Sequence, residues 1–170
     1  MNSPIHSYRL AFTDSTTRAF RPGGVQARWN SEGVVLVYTA EHPALAALEI
    51  LNAWQSYRNL NGYHLYLCRL DQHAVTDAVP ALTGQGTDLN DAEGTRAFGD
   101  EWVLSRRSVA LRVPSAVAPA SYNYLLNPDH PDFESAVERE LLGLFQFDER
   151  ITALVKAAKV AATAKKPRTT

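Results

Sequence analysis

Glu49 is the only ionisable residue in the run 43–51 (Pro-Ala-Leu-Ala-Ala-Leu-Glu-Ile-Leu). At helical spacing its neighbours include Leu45, Ala46 and Ala53, so the carboxylate lies on or beside an apolar stripe. A carboxylate there is costly unless it is paired or hydrogen-bonded. Two readings follow: an ion pair with a nearby arginine, or a site carboxylate held at the mouth of a cleft. Arg28 sits in Gln26-Ala27-Arg28-Trp29-Asn30, between Gly23-Gly24 and an apolar run. It is either a solvated loop residue or a planar fork for a phosphate. Tyr38 closes that apolar run just before the Glu49 segment, and taken alone it reads as core. The order Arg28, strand, Tyr38, helix, Glu49 lets a return from strand to helix bring all three to one rim. Ser115 follows Val113-Pro114 at a strand end, as a turn serine or as a group facing a cleft. Alternation in 122–127 puts Asn123, Leu125 and Asn127 on one strand face, where two amides line a polar pocket or face water.

The elements that must position these residues are legible in outline. Residues 7–12 read as a first strand, and residues 13–33, rich in Gly, Pro, Ser, Thr and Asn, as a long irregular segment. Residues 34–39 (Val-Val-Leu-Val-Tyr-Thr) are apolar on both faces, as in a central, doubly covered strand. Pro43 opens a helix that runs to about Arg58 and carries Ala44, Ala47, Ile50, Leu51 and Trp54 on its apolar side. Strands are expected at 63–70, 108–113, 122–127 and 141–147, a loop over most of 71–91, and a helix over 92–106. Asp148 caps a last helix from Glu149 to about Lys165. Strands and helices mix without strict βαβ alternation, which predicts an α+β domain.

The 170 residues have the size of one domain, and 45% are apolar, enough for a core. No run approaches the ~20 apolar residues of a membrane-spanning helix. The N-terminus lacks a signal-peptide layout, and the single cysteine, Cys68, has no partner for a disulfide, so a cytoplasmic protein is expected. Charge is unevenly spread. Residues 1–155 hold 12 Arg, no Lys and 18 acids, a sum of −6, whereas residues 156–170 sum to +5. The body therefore has no general attraction for nucleic acid. The histidines His6, His42, His64, His73 and His130 form no metal-ligand pattern, and neither a phosphate loop nor a dinucleotide glycine fingerprint is present, so no metal and no bound cofactor is expected.

Six segments in order carry a resemblance. They are Ala27-Arg28-Trp29-Asn30, Val37-Tyr38-Thr39-Ala40, Ala44-Leu45-Ala46-Ala47-Leu48-Glu49, Gly99-Asp100-Glu101-Trp102, Leu111-Arg112-Val113-Pro114-Ser115-Ala116, and Asn123-Tyr124-Leu125-Leu126-Asn127-Pro128-Asp129-His130-Pro131. Together they resemble the RES-domain family over about residues 8–150. In one place the sequence departs from the family pattern: a Gly-Gly pair usually precedes Arg-Trp-Asn, and here it is Gln26-Ala27, with Gly23-Gly24 upstream.

The resemblance implies a RES domain over residues 1–150, followed by a C-terminal helix and basic tail over 151–170. It implies a split, mostly antiparallel sheet similar to that of the diphtheria-toxin-like ADP-ribosyltransferases. The implied activity is that of a toxin from a type II toxin–antitoxin system, which causes growth arrest by cleaving the nicotinamide–ribose bond of NAD⁺, as substrate, by hydrolysis or phosphorolysis. Two alternatives are an ADP-ribosyltransferase that modifies a specific host protein, and a catalytically silent binding domain. The family's catalytic positions match Arg28, Tyr38, Glu49 and Ser115, and Arg28, Trp29, Asn30, Tyr38 and Asn123 are expected to contact substrate. The implied partner is a cognate helix-turn-helix antitoxin that makes the DNA contacts and sends a chain end to the cleft near Arg28 and Glu49. Direct DNA binding by this chain and membrane association are not expected. A toxin homodimer within the complex is compatible with this picture.

Overall fold

The structure, a computed structural model, describes residues 3–53 and 60–164. In chain order its elements are β1 (Ile5–Ala11), α1 (Thr16–Ala19), β2 (Val37–Ala40), α2 (Pro43–Asn52), β3 (Tyr63–Leu70), a 3₁₀ turn (Gln72–Ala74), β4 (Val75–Asp77), α3 (Val79–Gly84), α4 (Ala92–Ser105), β5 (Ala110–Pro114), β6 (Tyr122–Leu126), α5 (Phe133–Ala136), β7 (Val137–Phe145) and α6 (Glu149–Ala164). The strands form one sheet in the order β4-β5-β6-β2-β1-β3-β7. The β4–β5 pair is parallel and every other pair antiparallel, which gives the expected α+β architecture with a C-terminal helix. No helix among the described residues is long and apolar enough to cross a membrane.

The sheet is split where it matters for the site. β1 pairs with β3 along its whole length, from Ile5 opposite Leu70 to Ala11 opposite His64. β2 pairs with β6 from Val37 opposite Leu126 to Ala40 opposite Asn123. Between these two halves, β1 and β2 meet at a single pair, Tyr8 opposite Ala40. Three apolar clusters cover the sheet. One surrounds Val37, Tyr66, Cys68 and Leu126. A second joins Trp29, Trp102, Val113 and Leu125. The third joins Leu10, Leu45, Tyr63 and Phe147, with Ile151 and Val155 of α6 against it. Cys68 is buried, and burial pushes its thiol up to about 12, so it packs as a small hydrophobe.

The structure corrects several expected boundaries. Residues 71–91 hold the 3₁₀ turn, β4 and α3 where a loop is expected, because these elements are too short to show periodicity. β2 begins at Val37 rather than residue 34, since Leu36 makes an isolated bridge to Gly23 and the Val34 carbonyl accepts the Asn30 amide at 3.0 Å. β7 begins at Val137 rather than residue 141, because its polar start, Glu138-Arg139-Glu140, is tied to β3. Arg69 of β3 donates to both Glu138 and Glu140, at 2.9 and 2.5 Å. The described part of α2 ends at Asn52, and the rest of the expected helix, with Trp54 and Arg58, lies outside the described residues. α4 stops one residue short of Arg106, which adopts a left-handed φ of 47°.

Candidate functional site

The candidate site is a cavity of ≈ 470 Å³ along the split between β1 and β2, lined by Arg9, Arg28, Tyr38, Glu49 and Asn123 among others. Glu49 reaches it because α2 buries Leu45 and Ala46, which lie four and three residues before Glu49 and so share its face. The carboxylate that this stripe carries inward is met by neutral donors. Asn123 Nδ2 donates to Glu49 Oε1 at 2.7 Å, and Ser115 Oγ donates to the same oxygen at 3.2 Å. No cation pairs with Glu49 among the described residues, and its Oε2 accepts no hydrogen bond there.

Both partners of Glu49 are fixed in turn. Asn123 sits on β6 opposite Ala40, where β2 ends and the chain turns into α2. Ser115 stands at the exit of β5, and its Oγ accepts the backbone N–H groups of Val117 and Ala118 at 3.2 and 3.3 Å. With both N–H groups donating to its oxygen, the hydroxyl hydrogen is left to point at Glu49. Ser115 itself is absent from the cavity wall, whereas the next residues, Ala116 and Val117, line it. The Asn123 Oδ1 is buried and has no hydrogen-bond partner among the described residues. A buried acceptor without a partner bears its desolvation cost uncompensated.

Arg28 and Trp29 form the tip of a two-residue turn closed by the Ala27 N–H donating to Asn30 O at 3.0 Å. Asn30 is 1% exposed and spends its side chain on the turn: Nδ2 donates to the carbonyls of Val25, Ser31 and Val34, and Oδ1 accepts from Tyr38 OH at 2.7 Å. The upstream glycines serve the same loop, since the Gly33 N–H donates to Gly24 O at 2.8 Å and Gly33 takes a φ of 87°. From the other side, α4 presses on the turn. A Cβ on Gly99 would lie 1.9 Å from the Trp29 carbonyl oxygen, so only glycine fits there, and Asp100 Oδ1 accepts the Ser31 N–H at 2.9 Å. Arg28 Nη1 donates to the Leu89 carbonyl, which orients the guanidinium at the cavity wall.

Tyr38 lines the cavity, while its hydroxyl accepts the Trp29 N–H at 3.3 Å and donates to Asn30. Burial pushes the phenol up to about 12, with Asp100 and Glu49 adding to the rise, so it is neutral at any ordinary pH and acts as a tie rather than a proton carrier. The Trp29 indole packs edge-on against Phe98, 6.4 Å between ring centres, within the cluster under α4. Of the candidate residues, the structure thus gathers Arg28, Tyr38, Glu49 and Asn123 on the cavity, and places Ser115 behind Glu49. Trp29 lines the cavity as well, although its side chain is almost wholly buried, and Asn30 lies within the turn that carries Arg28. Sequence patterning gives little cue to Arg9, which also lines the cavity, because an arginine in an alternating strand reads as solvent-facing.

A family model described as the RES domain matches residues 5–148. This chain belongs to the RES-domain toxin family. It is 36% identical over 125 residues to a protein of Sphingobium sp. (strain YBL2) named Prs ADP-ribosylating toxin, covering 67% of this chain and 73% of that one. It is 30% identical over 125 residues to a protein of Yersinia enterocolitica named Toxin Res, covering 73% and 82%. Among solved structures, the fold is similar to that of a chain in the M. tuberculosis MbcT–MbcA toxin–antitoxin complex. The TM-score is 0.64 at 16% identity, over 91% of this chain and 90% of that one. The family match ends before α6, which packs on the third apolar cluster as an addition to the matched region.

Proposed function

We propose that this chain is the toxin of a toxin–antitoxin pair and that it cleaves NAD⁺ between ribose C1′ and the nicotinamide nitrogen. The observation that carries this reading is a carboxylate, Glu49, on a cavity wall, with neutral partners and no paired cation among the described residues, beside an arginine on the same wall. The pyridinium leaves readily, so the reaction needs no strong acid. It needs help with the positive charge that grows on the ribose as the bond lengthens. A fixed anion in a partly dry site supplies it without reorganisation. Glu49 takes that part, and Ser115 and Asn123 hold its Oε1 so that the remaining oxygen is free for the sugar. Arg28 binds a pyrophosphate oxygen with the donors not used on Leu89. The ring of Tyr38 forms part of the surface against which nicotinamide or ribose lies. Water or phosphate then adds at C1′, giving ADP-ribose or its phosphate and free nicotinamide.

A second reading uses the same cleft to transfer ADP-ribose to a protein, and the name of the Sphingobium relative favours it. Such a toxin must be held silent in its own cell. An antitoxin serves that need by covering the cleft with a chain end that exploits the cations set out for the dinucleotide. The helix-turn-helix character of that antitoxin follows from the family resemblance, and the acidic body of this chain leaves DNA contact to the partner.

The test is incubation of purified protein with NAD⁺, following nicotinamide release. Free ADP-ribose or its phosphate supports the leading reading, and label transferred to protein supports the second. A folded, abundant chain that releases no nicotinamide and leaves growth and cellular NAD⁺ unchanged overturns both. Co-expression with the neighbouring gene product tests the partner: binding and rescue are expected, and toxicity without either removes the partner alone.

A further inference from the structure

Where β1 and β2 part, the backbone groups of β2 must find donors other than a sheet ladder. One is the side chain of Arg9. Its Nη1 donates to the Tyr38 carbonyl at 2.7 Å, and its Nε donates to the Ala19 carbonyl at 2.6 Å. A single planar guanidinium therefore joins β1, the last residue of α1 and β2 across the opening of the cleft. Charged donors to carbonyls are the stronger class of hydrogen bond, and the fixed fork serves two acceptors at once. Tyr38 is the residue whose hydroxyl holds Asn30 and the Trp29 N–H, and so the turn that presents Arg28. The Glu49–Ser115–Asn123 set is held from α2, the exit of β5 and β6, by side-chain hydrogen bonds that involve neither Arg9 nor Tyr38.

We infer that Arg9 is a positioning residue of this site: it fixes the Tyr38 backbone across the split and, through Tyr38, the turn that carries Arg28. The role is to hold the dinucleotide-binding half of the cavity in register with the Glu49 half. The kinetic part of this inference rests on the NAD⁺ reading, and the structural part stands without it.

The test compares Arg9→Met with Arg9→Lys, which keeps one charged donor but not the fork. Backbone amide exchange in the free protein should rise over residues 27–39 in Arg9→Met, less so in Arg9→Lys. Exchange in β3, at residues 64–70, should stay as in wild type. With NAD⁺, KM should rise about tenfold in Arg9→Met, with an intermediate value in Arg9→Lys, while kcat falls less than about threefold, since the Glu49 set is untouched. Unchanged exchange over 27–39 in a folded variant overturns the inference. A raised KM with unchanged exchange marks a direct contact with the dinucleotide and overturns it equally. Should Arg9→Met fail to fold, Arg9→Lys against wild type decides by the same exchange comparison. If wild-type protein releases no nicotinamide, the NAD⁺ reading falls and the exchange result still decides the part played by Arg9.

Discussion

Asn123 and Glu49 form a one-sided pair: the amide gives its N–H to the carboxylate at 2.7 Å and keeps a buried oxygen with no partner among the described residues. The geometry holds the anion still without neutralising it. Glu49→Gln keeps the shape and an acceptor for Asn123 and Ser115, and removes the charge. We expect a melting temperature close to wild type and a fall in nicotinamide release of about 10²-fold or more, the scale for losing a preorganised electrostatic group. Wild-type turnover by the folded variant would remove Glu49 from the chemistry.

Arg28→Lys tests the fork. The Arg28 guanidinium already serves the Leu89 carbonyl with Nη1 and has further donors to offer. A lysine ammonium in that place cannot hold the loop and a pyrophosphate oxygen with the same geometry. KM for NAD⁺ should rise about tenfold or more with little change in thermal stability. Steady-state kinetics beside a melting curve decide it, and unchanged kinetics would return Arg28 to the status of a surface residue.

Gly99→Ala should be the most damaging small substitution near the site. Its Cβ would meet backbone, 1.9 Å from Trp29 O and 2.9 Å from Trp29 C, so helix and turn must separate. A cost of ~3 kcal/mol, or a drop of roughly 6–12 °C in melting temperature, is expected for overpacking against backbone in a domain of this size. Gly94→Ala is the control on the same helix. There the Cβ would lie 2.6 Å from Asp91 Oδ2, the end of an exposed capping side chain, which can move aside at the cost of about 1 kcal/mol for its bond to the Glu93 N–H. Equal melting temperatures for the two variants would contradict the close approach of α4 to Trp29.

Tyr38 ties stability to alkaline pH. Its phenol rises from 10.0 to about 12 on folding, so between those values the unfolded chain has lost a proton that the folded chain keeps. Stability from this residue is therefore complete below pH 10 and is lost as pH climbs toward 12, by up to ~2 kcal/mol. Tyr38→Phe loses its ties to Asn30 and Trp29 at neutral pH, and its stability should fall less steeply than wild type above pH 10. Denaturant midpoints measured from pH 8 to 11.5 report the difference, and parallel curves would contradict it.

How far the sequence shows this site depends on the distance over which each signal acts. Glu49 is legible because a lone carboxylate in an apolar helix is a local anomaly. Ser115 and Asn123, which hold it, lie 66 and 74 residues away, and no spacing rule joins them to it. The central strand and β3 are legible from their apolar runs. The start of β7 is not, because Glu138 and Glu140 read as loop until Arg69 on the neighbouring strand is seen to bind both. Arg9 is hidden for the converse reason. Alternation assigns it to solvent, whereas the split in the sheet gives it carbonyls to bind, and a split is a property of topology rather than of any segment.

The strand order also sets a schedule. β6, made late in the chain, lies between β5 and β2 and brings Asn123 beside an acidic side chain translated 74 residues earlier. At about 5–20 residues per second that interval lasts roughly 4–15 s. For the first 66 of those residues the nascent chain has Glu49 but neither of its holders, and throughout the interval β2 lacks its principal neighbour. No fragment that ends before β6 can assemble the complete cavity wall, so a truncated or stalled product is disarmed by topology alone.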